Sequence, residues 1–146
     1  GTEDTEFNCR IYQKSCQAVI IDIPMYYWVQ RPTSITHQKV NPRYIDRADS
    51  YYLCLQNIPK ENTVYRGCCL EKLFKMIINV RYHASNTPYR HLAHLTAKRL
   101  KKQTANEFLK NRHIPFHIKL SLLSFYYIPP LYSGFMKLCE TKARKK

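Results

Sequence analysis

Cysteine is the residue type with the clearest chemistry in this sequence. The chain of 146 residues contains six cysteines, at Cys9, Cys16, Cys54, Cys68, Cys69 and Cys139. An even and high count favours disulfide bonds formed in an oxidising compartment. Adjacent side chains point in different directions, so Cys68 and Cys69 are expected to bridge to separate partners. We predict up to three disulfides, whose pairing the sequence leaves open.

Six histidines could in principle bind a metal or transfer protons. His91-x-x-His94 and His113-x-x-x-His117 have spacings that suit a metal on a helix. Structural zinc sites usually draw on pairs such as Cys-x2-Cys, which are absent here. Gly-x-Ser-x-Gly is also absent, and nothing singles out a histidine for acid and base chemistry. We predict a protein that is not an enzyme and that binds no metal or cofactor.

The positive charge of the chain is its strongest global feature. Lysine and arginine number 24 against 10 acidic residues. Such a field attracts nucleic acid, anionic glycans, acidic membranes or acidic proteins without choosing among them. Lys98, Arg99, Lys101 and Lys102 would form an anion-binding patch if they share one side of a helix. The alternative interpretation is a solvated helix face, which most charge runs are.

Clustered aromatic residues indicate protein contacts. Tyrosine and tryptophan bury a large area at low entropic cost, so they often anchor interfaces. The alternative is that they pack inward. We predict a partner-binding set of five aromatic residues and three cations, at Tyr26, Tyr27, Trp28, Tyr51, Tyr52, Arg99, Lys101 and Lys102.

The elements that must position these residues fit a single domain over 1–146. Residues 1–17 are interpreted as a disulfide-stapled arm and 140–146 as a basic, frayed tail. Residues 18–29 resemble two short strands, and residues 30–50 resemble a loop with two prolines. Since Gly1 is not methionine, any targeting peptide is expected to have been removed.

Two helices and a strand are predicted after this loop. The first helix runs from about Arg66 to His83, and its apolar face serves as the structural anchor, formed by Leu70, Leu73, Phe74 and Ile77. The second begins near Pro88, with Leu92, Leu95 and Leu100 inward. Alternation over 116–127 predicts a strand with Phe116, Ile118, Leu120 and Leu122 on one face, ended by Pro129-Pro130. The predicted fold class is α+β: one long and one shorter helix on a small antiparallel sheet, stapled by disulfides.

Part of the sequence resembles a known family. The run Asp49-Ser50-Tyr51-Tyr52-Leu53-Cys54, the step Ile58-Pro59, Tyr65, the amphipathic helix and Tyr82-His83-Ala84-Ser85 resemble a small accessory glycoprotein of betaherpesviruses. The resemblance covers Asp49 to Ile128, about half of the chain. It consists of short identities. The Cys68-Cys69 pair, the N-terminal cysteines, the missing Asn-x-Ser/Thr sites and the high charge depart from the cytomegalovirus subunit and suit a diverged counterpart, such as the smaller gQ subunit of roseoloviruses.

The resemblance implies a function in a viral envelope complex. The chain would be a subunit without a membrane span of its own, retained in the secretory pathway and virion envelope, or outside the cell, by gH/gL-type glycoproteins and sister accessory subunits. It would help to engage a host cell-surface receptor during host-cell entry, with no nucleic acid partner. Two alternatives remain open: a secreted helical cytokine-like ligand, and a basic nucleic-acid-binding protein of a reducing compartment.

Overall fold

The computed structural model describes residues 41–143 continuously, with side chains to residue 136, and a few isolated positions between residues 7 and 23. This part of the chain forms five helices: α1 (Pro42–Asn57), α2 (Thr63–Ala84), α3 (Arg90–Lys110), α4 (Phe116–Tyr127) and α5 (Pro129–Ala143). No strand occurs in it, so the predicted α+β fold on an antiparallel sheet is wrong. Apart from those isolated positions, the N-terminal arm and the strands expected within 18–29 lie outside the described residues.

Helix α2 is the centre of the fold and contacts each of the other four helices. The predicted structural anchor is confirmed as its core face, because Leu70, Leu73, Phe74 and Ile77 are completely buried. Asn62 caps the helix through its side chain, which accepts a hydrogen bond from the Tyr65 amide at 3.2 Å. The predicted end at about His83 agrees with the observed end at Ala84.

Helix α1 replaces the second half of the predicted loop. Asn41 accepts a hydrogen bond from the Tyr44 amide at 3.1 Å, and Pro42 occupies the first turn. An asparagine N-cap followed by proline is a strong helix start, since the proline lacks only an amide that would have no intrahelical partner. The helix buries Ile45, Ala48, Cys54 and Leu55 against its neighbours.

Helix α3 begins at Arg90, close to the prediction, but the inward face is rotated from the expected one. Leu92 and Leu95 are exposed, while Ala93, Ala97 and Leu100 are buried. The distance between packed helices depends on the side chains at the contact. The small side chains of Ala93 and Ala97 allow α3 to approach the large core side chains of α2 closely. The predicted leucine face is therefore correct only at Leu100.

Helix α4 occupies the range predicted as a strand, so that prediction is wrong. Its apolar residues fit both periods: Ile118, Leu122 and Tyr126 recur every fourth position and turn toward the core. The alternation would have placed Phe116 and Leu120 on the same side as Ile118 and Leu122. In a helix the two pairs lie on different sides, so Ile118 and Leu122 pack against the core while Phe116 and Leu120 are exposed.

Helix α5 follows after a single intervening residue, Ile128. Its first two residues are Pro129 and Pro130, which a first helical turn tolerates because its amides have no intrahelical acceptors. The pair, predicted to end a strand, follows the end of a helix instead and also begins the next helix. Helix α5 continues to Ala143 and so enters the segment predicted as a basic tail.

Candidate interaction surface

Helices α4 and α5 each present large apolar side chains to solvent. Phe116, Leu120 and Tyr127 share one side of α4 by their helical spacing, and Leu131 and Phe135 are one turn apart on α5. Phe116 is 78% exposed, and the other four are between 47% and 63% exposed. We call these five residues the α4–α5 apolar face. Single exposed apolar residues are ordinary, whereas Phe116, Leu120 and Tyr127 on one side of a helix make a candidate interaction site.

Aromatic packing holds the α5 part of this set in position. The Tyr132 ring lies 5.3 Å from the ring centroids of both Tyr82 and Phe125, in edge-to-face geometry. Phe125 in turn lies 5.4 Å from Phe135. The Tyr132 hydroxyl donates a hydrogen bond to Asn79 of α2. The exposed Phe135 is therefore attached to a cluster fixed on the central helix.

Two cations border the face at the end of α4. Arg81 donates to the Tyr126 carbonyl oxygen at 2.8 Å, and its guanidinium carbon lies 4.5 Å from the centroid of the Tyr126 ring. Lys101 lies 4.7 Å from the same ring and 4.3 Å from that of Tyr127, to whose hydroxyl it donates at 2.5 Å. Cation–π contacts of this kind fix the two rings beside positive charge.

The four cations expected to form one patch on α3 are divided among three sides of that helix. Arg99 pairs with Asp49 of α1. Lys101 is turned toward α4. Lys98 and Lys102 are exposed and make no ion pair within the described part of the chain. Of the cations predicted to meet acidic surfaces, Lys102 is thus exposed without an ion pair, and Lys101 keeps its charge beside the rings of Tyr126 and Tyr127.

The predicted aromatic contacts are found in different settings. Tyr51 and Tyr52 are partly buried and pack against the core from α1. Neighbours on a helix are about 100° apart, so both can do so, which a strand would forbid. Tyr26, Tyr27 and Trp28 lie outside the described residues.

Sequence reasoning missed the α4–α5 apolar face. The alternating apolar pattern of residues 116–127 predicts a strand, although a segment of this length can also form a helix. The α4 members of the face therefore have no role in partner binding in the sequence-based prediction. A segment of 12 residues with few charges, between prolines, also satisfies the helical period. The signal was therefore present: a helix apolar on more than one side must bury one side and offer the other.

The Asp49–Arg99 pair is expected to add little stability. Burial raises the pKa of Asp49 more than Arg99 lowers it, and nearby Asp46 raises it further. A raised folded-state pKa favours folding below the unfolded value, and this advantage is lost as pH rises through the folded value. We expect Asp49→Asn to change the free energy of unfolding at pH 7 by less than about 0.5 kcal/mol.

Urea unfolding of wild type and Asp49→Asn tests this expectation. The stability of the wild type should improve relative to the variant as the pH falls from neutrality to below the ordinary aspartate pKa of about 3.9. A variant that is less stable by more than about 1 kcal/mol at pH 7 would show that the ion pair outweighs desolvation.

The cysteines of α2 differ in environment, as their adjacency predicted. Cys68 is an exposed thiol, whereas Cys69 is buried with its sulfur 3.4 Å from the carbonyl oxygen of Tyr51. Cys54 is also buried, and the side chains of Cys9, Cys16 and Cys139 lie outside the described set. The disulfide framework stays a prediction, which intact-mass measurement before and after thiol alkylation checks.

The histidine pairs have separate surroundings. His91 and His94 are exposed on the first turns of α3. The His113 ring nitrogen lies 3.1 Å from the Thr63 hydroxyl, while His117 is on α4. Among the described residues, no three His, Cys, Asp or Glu side chains are grouped so that they could hold a metal ion.

No helix in the described ranges combines the length and apolar character needed to cross a membrane. Comparison with known proteins found no matching family model, curated protein or solved structure. Inference about function therefore depends on the surface of the molecule and on the resemblance of its sequence.

Proposed function

We propose that this chain is a non-enzymatic, protein-binding subunit of a betaherpesvirus envelope complex. In this proposal it is retained by gH/gL-type glycoproteins and sister accessory subunits in the secretory pathway and at the virion, and it helps to engage a host receptor for cell entry. The observation that carries the proposal is the α4–α5 apolar face. A chain that folds with this face exposed gains free energy when a partner covers it.

The composition of the face supports a protein partner. It combines aromatic and aliphatic side chains with bordering cations, the pattern of an interface core with a charged rim. The resemblance to the betaherpesvirus accessory glycoprotein supplies the class of partner. Its residues belong to the packed body: Tyr51, Tyr52 and Cys54 in α1, Tyr65 in the first turn of α2, and Tyr82 near its end.

A secreted helical cytokine-like ligand is the second candidate, and the helical content of the described residues favours it. The connections argue against it. Up-up-down-down cytokine bundles need two long crossover segments, whereas five residues or fewer join each successive pair from α1 to α5. Short connections are typical of antiparallel neighbours instead.

Co-expression tests the proposal directly. The tagged chain would be produced with a betaherpesvirus gH/gL heterodimer and its sister accessory subunits, and the secreted assembly measured by size-exclusion chromatography with light scattering. We expect the chain to elute with the heterodimer. Phe116→Ala and Leu120→Ala should each weaken assembly by about 2 kcal/mol, or roughly 30-fold in Kd, if these residues are anchors.

Val64→Ala is the matched control. Val64 is 56% exposed on α2 and lies outside the α4–α5 apolar face, so its truncation should leave assembly unchanged. A folded chain that stays monomeric beside gH/gL and all sister subunits would refute the proposal. Binding of a host receptor by the isolated chain, with no affinity for gH/gL, would favour the cytokine-like ligand.

A further inference from the structure

A large cleft lies between the end of α2, the start of α3 and the α4–α5 turn. Its volume is about 1030 Å³. One side is apolar and aromatic, with Tyr82, Phe125, Tyr132 and the rings of Pro129 and Pro130. This volume is at the upper end of the range of about 300–1,000 Å³ that small-molecule sites occupy, so the cleft suits a stretch of chain better than a single ion.

The polar lining of the cleft is basic. Arg81, Arg90, His91 and His94 contribute to it, and no aspartate or glutamate does among the described residues. The side chains of Arg90, His91 and His94 are exposed and make no hydrogen bond or ion pair within the described part of the chain. Three donors therefore face the cleft without an acceptor from these helices.

Acidic residues are rare in the segments that line the cleft. From Lys72 to Cys139 the chain contains a single acidic residue, Glu107. Its carboxylate already accepts two hydrogen bonds from Arg66, at 2.5 and 2.8 Å. The described residues that line the cleft thus contribute no carboxylate to it, and its positive charge will attract and orient negatively charged groups.

The position of Arg90 opposes ordinary helix electrostatics. Arg90 begins α3, which has no acidic residue in its first turn and no side-chain cap from Tyr89. Cations at a helix N-terminus are unfavourable because that end already carries partial positive charge. A cation that opposes the helix dipole without a compensating acidic contact is typical of a residue with a role in binding.

We infer that this cleft binds an acidic peptide segment of a partner protein that carries an aromatic or large aliphatic side chain. Its carboxylates accept hydrogen bonds from Arg90, His91 and His94, and its apolar side chain packs against Tyr82, Phe125 and Tyr132. The site is partly pre-formed, since Arg81 is held by the Tyr126 carbonyl and Tyr132 by Asn79. A sulfated glycan would match the cations but has no apolar side chain to bury against the aromatic side.

Fluorescence anisotropy with the full chain tests this inference. The probe is a short labelled peptide rich in Asp and Glu with one central tryptophan. Two control peptides replace the acids by Asn and Gln, or the tryptophan by glycine. We expect both controls to bind about tenfold more weakly or worse, because each removes one half of the match.

Matched charge variants locate the site. Arg90→Glu and His94→Glu should each weaken probe binding about tenfold or more. Lys98→Glu makes the same change of charge as Arg90→Glu on an exposed residue of α3 outside the cleft lining, and should weaken it less than about twofold. Circular dichroism confirms that each variant is folded.

Several results would overturn the inference. Equal loss from Arg90→Glu and Lys98→Glu would attribute binding to the general field of the protein. Equal binding of the probe and its glycine control would show that the aromatic side of the cleft does not contribute to peptide binding. A heparin oligosaccharide that binds more tightly than the probe and loses affinity with Arg90→Glu would assign the cleft to sulfated glycans instead. Because these variants lie outside the α4–α5 apolar face, the outcome is independent of the gH/gL assembly experiment.

Discussion

Phe108→Ala is expected to lower the free energy of unfolding by about 3–5 kcal/mol. The Phe108 ring of α3 is completely buried and stacks on Phe74 of α2, with ring centroids 3.9 Å apart and planes inclined by 16°. Truncation removes the transfer free energy of the ring and leaves a cavity between two helices that cannot fully close. Because domains have total stabilities of about 5–15 kcal/mol, the loss is a large part of the whole.

The neighbouring Leu109→Ala is the matched control. Leu109 is on the same helix and is 50% exposed, so its truncation should cost less than about 1 kcal/mol. Urea unfolding followed by circular dichroism at the helical band measures both. Equal losses for the two variants would mean that α3 does not pack on α2 through Phe108.

Arg66→Ala should cost about 3–5 kcal/mol through a different mechanism. The guanidinium is buried in α2 and binds Glu107 of α3 through two hydrogen bonds. It also donates to the carbonyl oxygens of Leu55 and Ile58, at 2.9 and 2.5 Å, where α1 ends. One side chain therefore joins three helices, and its removal leaves two buried acceptors without a donor.

The charge of Arg66 is present throughout the usual pH range. Its hydrogen bond to Glu107 raises the pKa of Arg66, against the opposing effect of burial. A raised pKa means that the stabilisation is complete below the unfolded pKa of arginine, which is already far above neutrality, and is lost only above the still higher folded one. The cost of Arg66→Ala should therefore not be relieved by making the solution mildly alkaline.

Two further variants separate geometry from charge. Arg66→Lys keeps the charge but lacks the planar fork needed for two parallel hydrogen bonds, so it should remain clearly destabilised. Lys75→Ala breaks an exposed pair with Glu71 on the same helix and should cost no more than about 0.5 kcal/mol. If Arg66→Ala and Lys75→Ala cost the same, Arg66 does not join the three helices as described.

The two proposed surfaces divide the work of partner binding in a testable way. In this proposal the exposed apolar side chains of the α4–α5 apolar face supply affinity. The basic cleft, with its donors beside aromatic rings, is proposed to supply orientation and selectivity. Variants at Phe116 and at Arg90 should therefore affect different partners, or different parts of one partner.

The sequence by itself determined the central helix and its ends. The repeat of Leu70, Leu73, Phe74 and Ile77 at three and four residues has one structural solution, because only a helix brings those side chains to one side. The stop near His83 and the second helix near Pro88 followed from the Asn86-Thr87-Pro88 step. The overall positive charge and the different environments of Cys68 and Cys69 were also readable from residue type and adjacency.

Tertiary structure alone decided what the other helices do. Periodicity identifies the possible faces of a segment but not the neighbour that selects one, so α3 turned Ala93 inward in place of Leu92. In α4 the pattern fitted two periods, and packing of Ile118, Leu122 and Tyr126 toward the core selected the helical one. Contacts between residues far apart in sequence therefore determine that Phe116 and Leu120 are exposed. The same kind of contact brings together the distant segments that form the basic cleft.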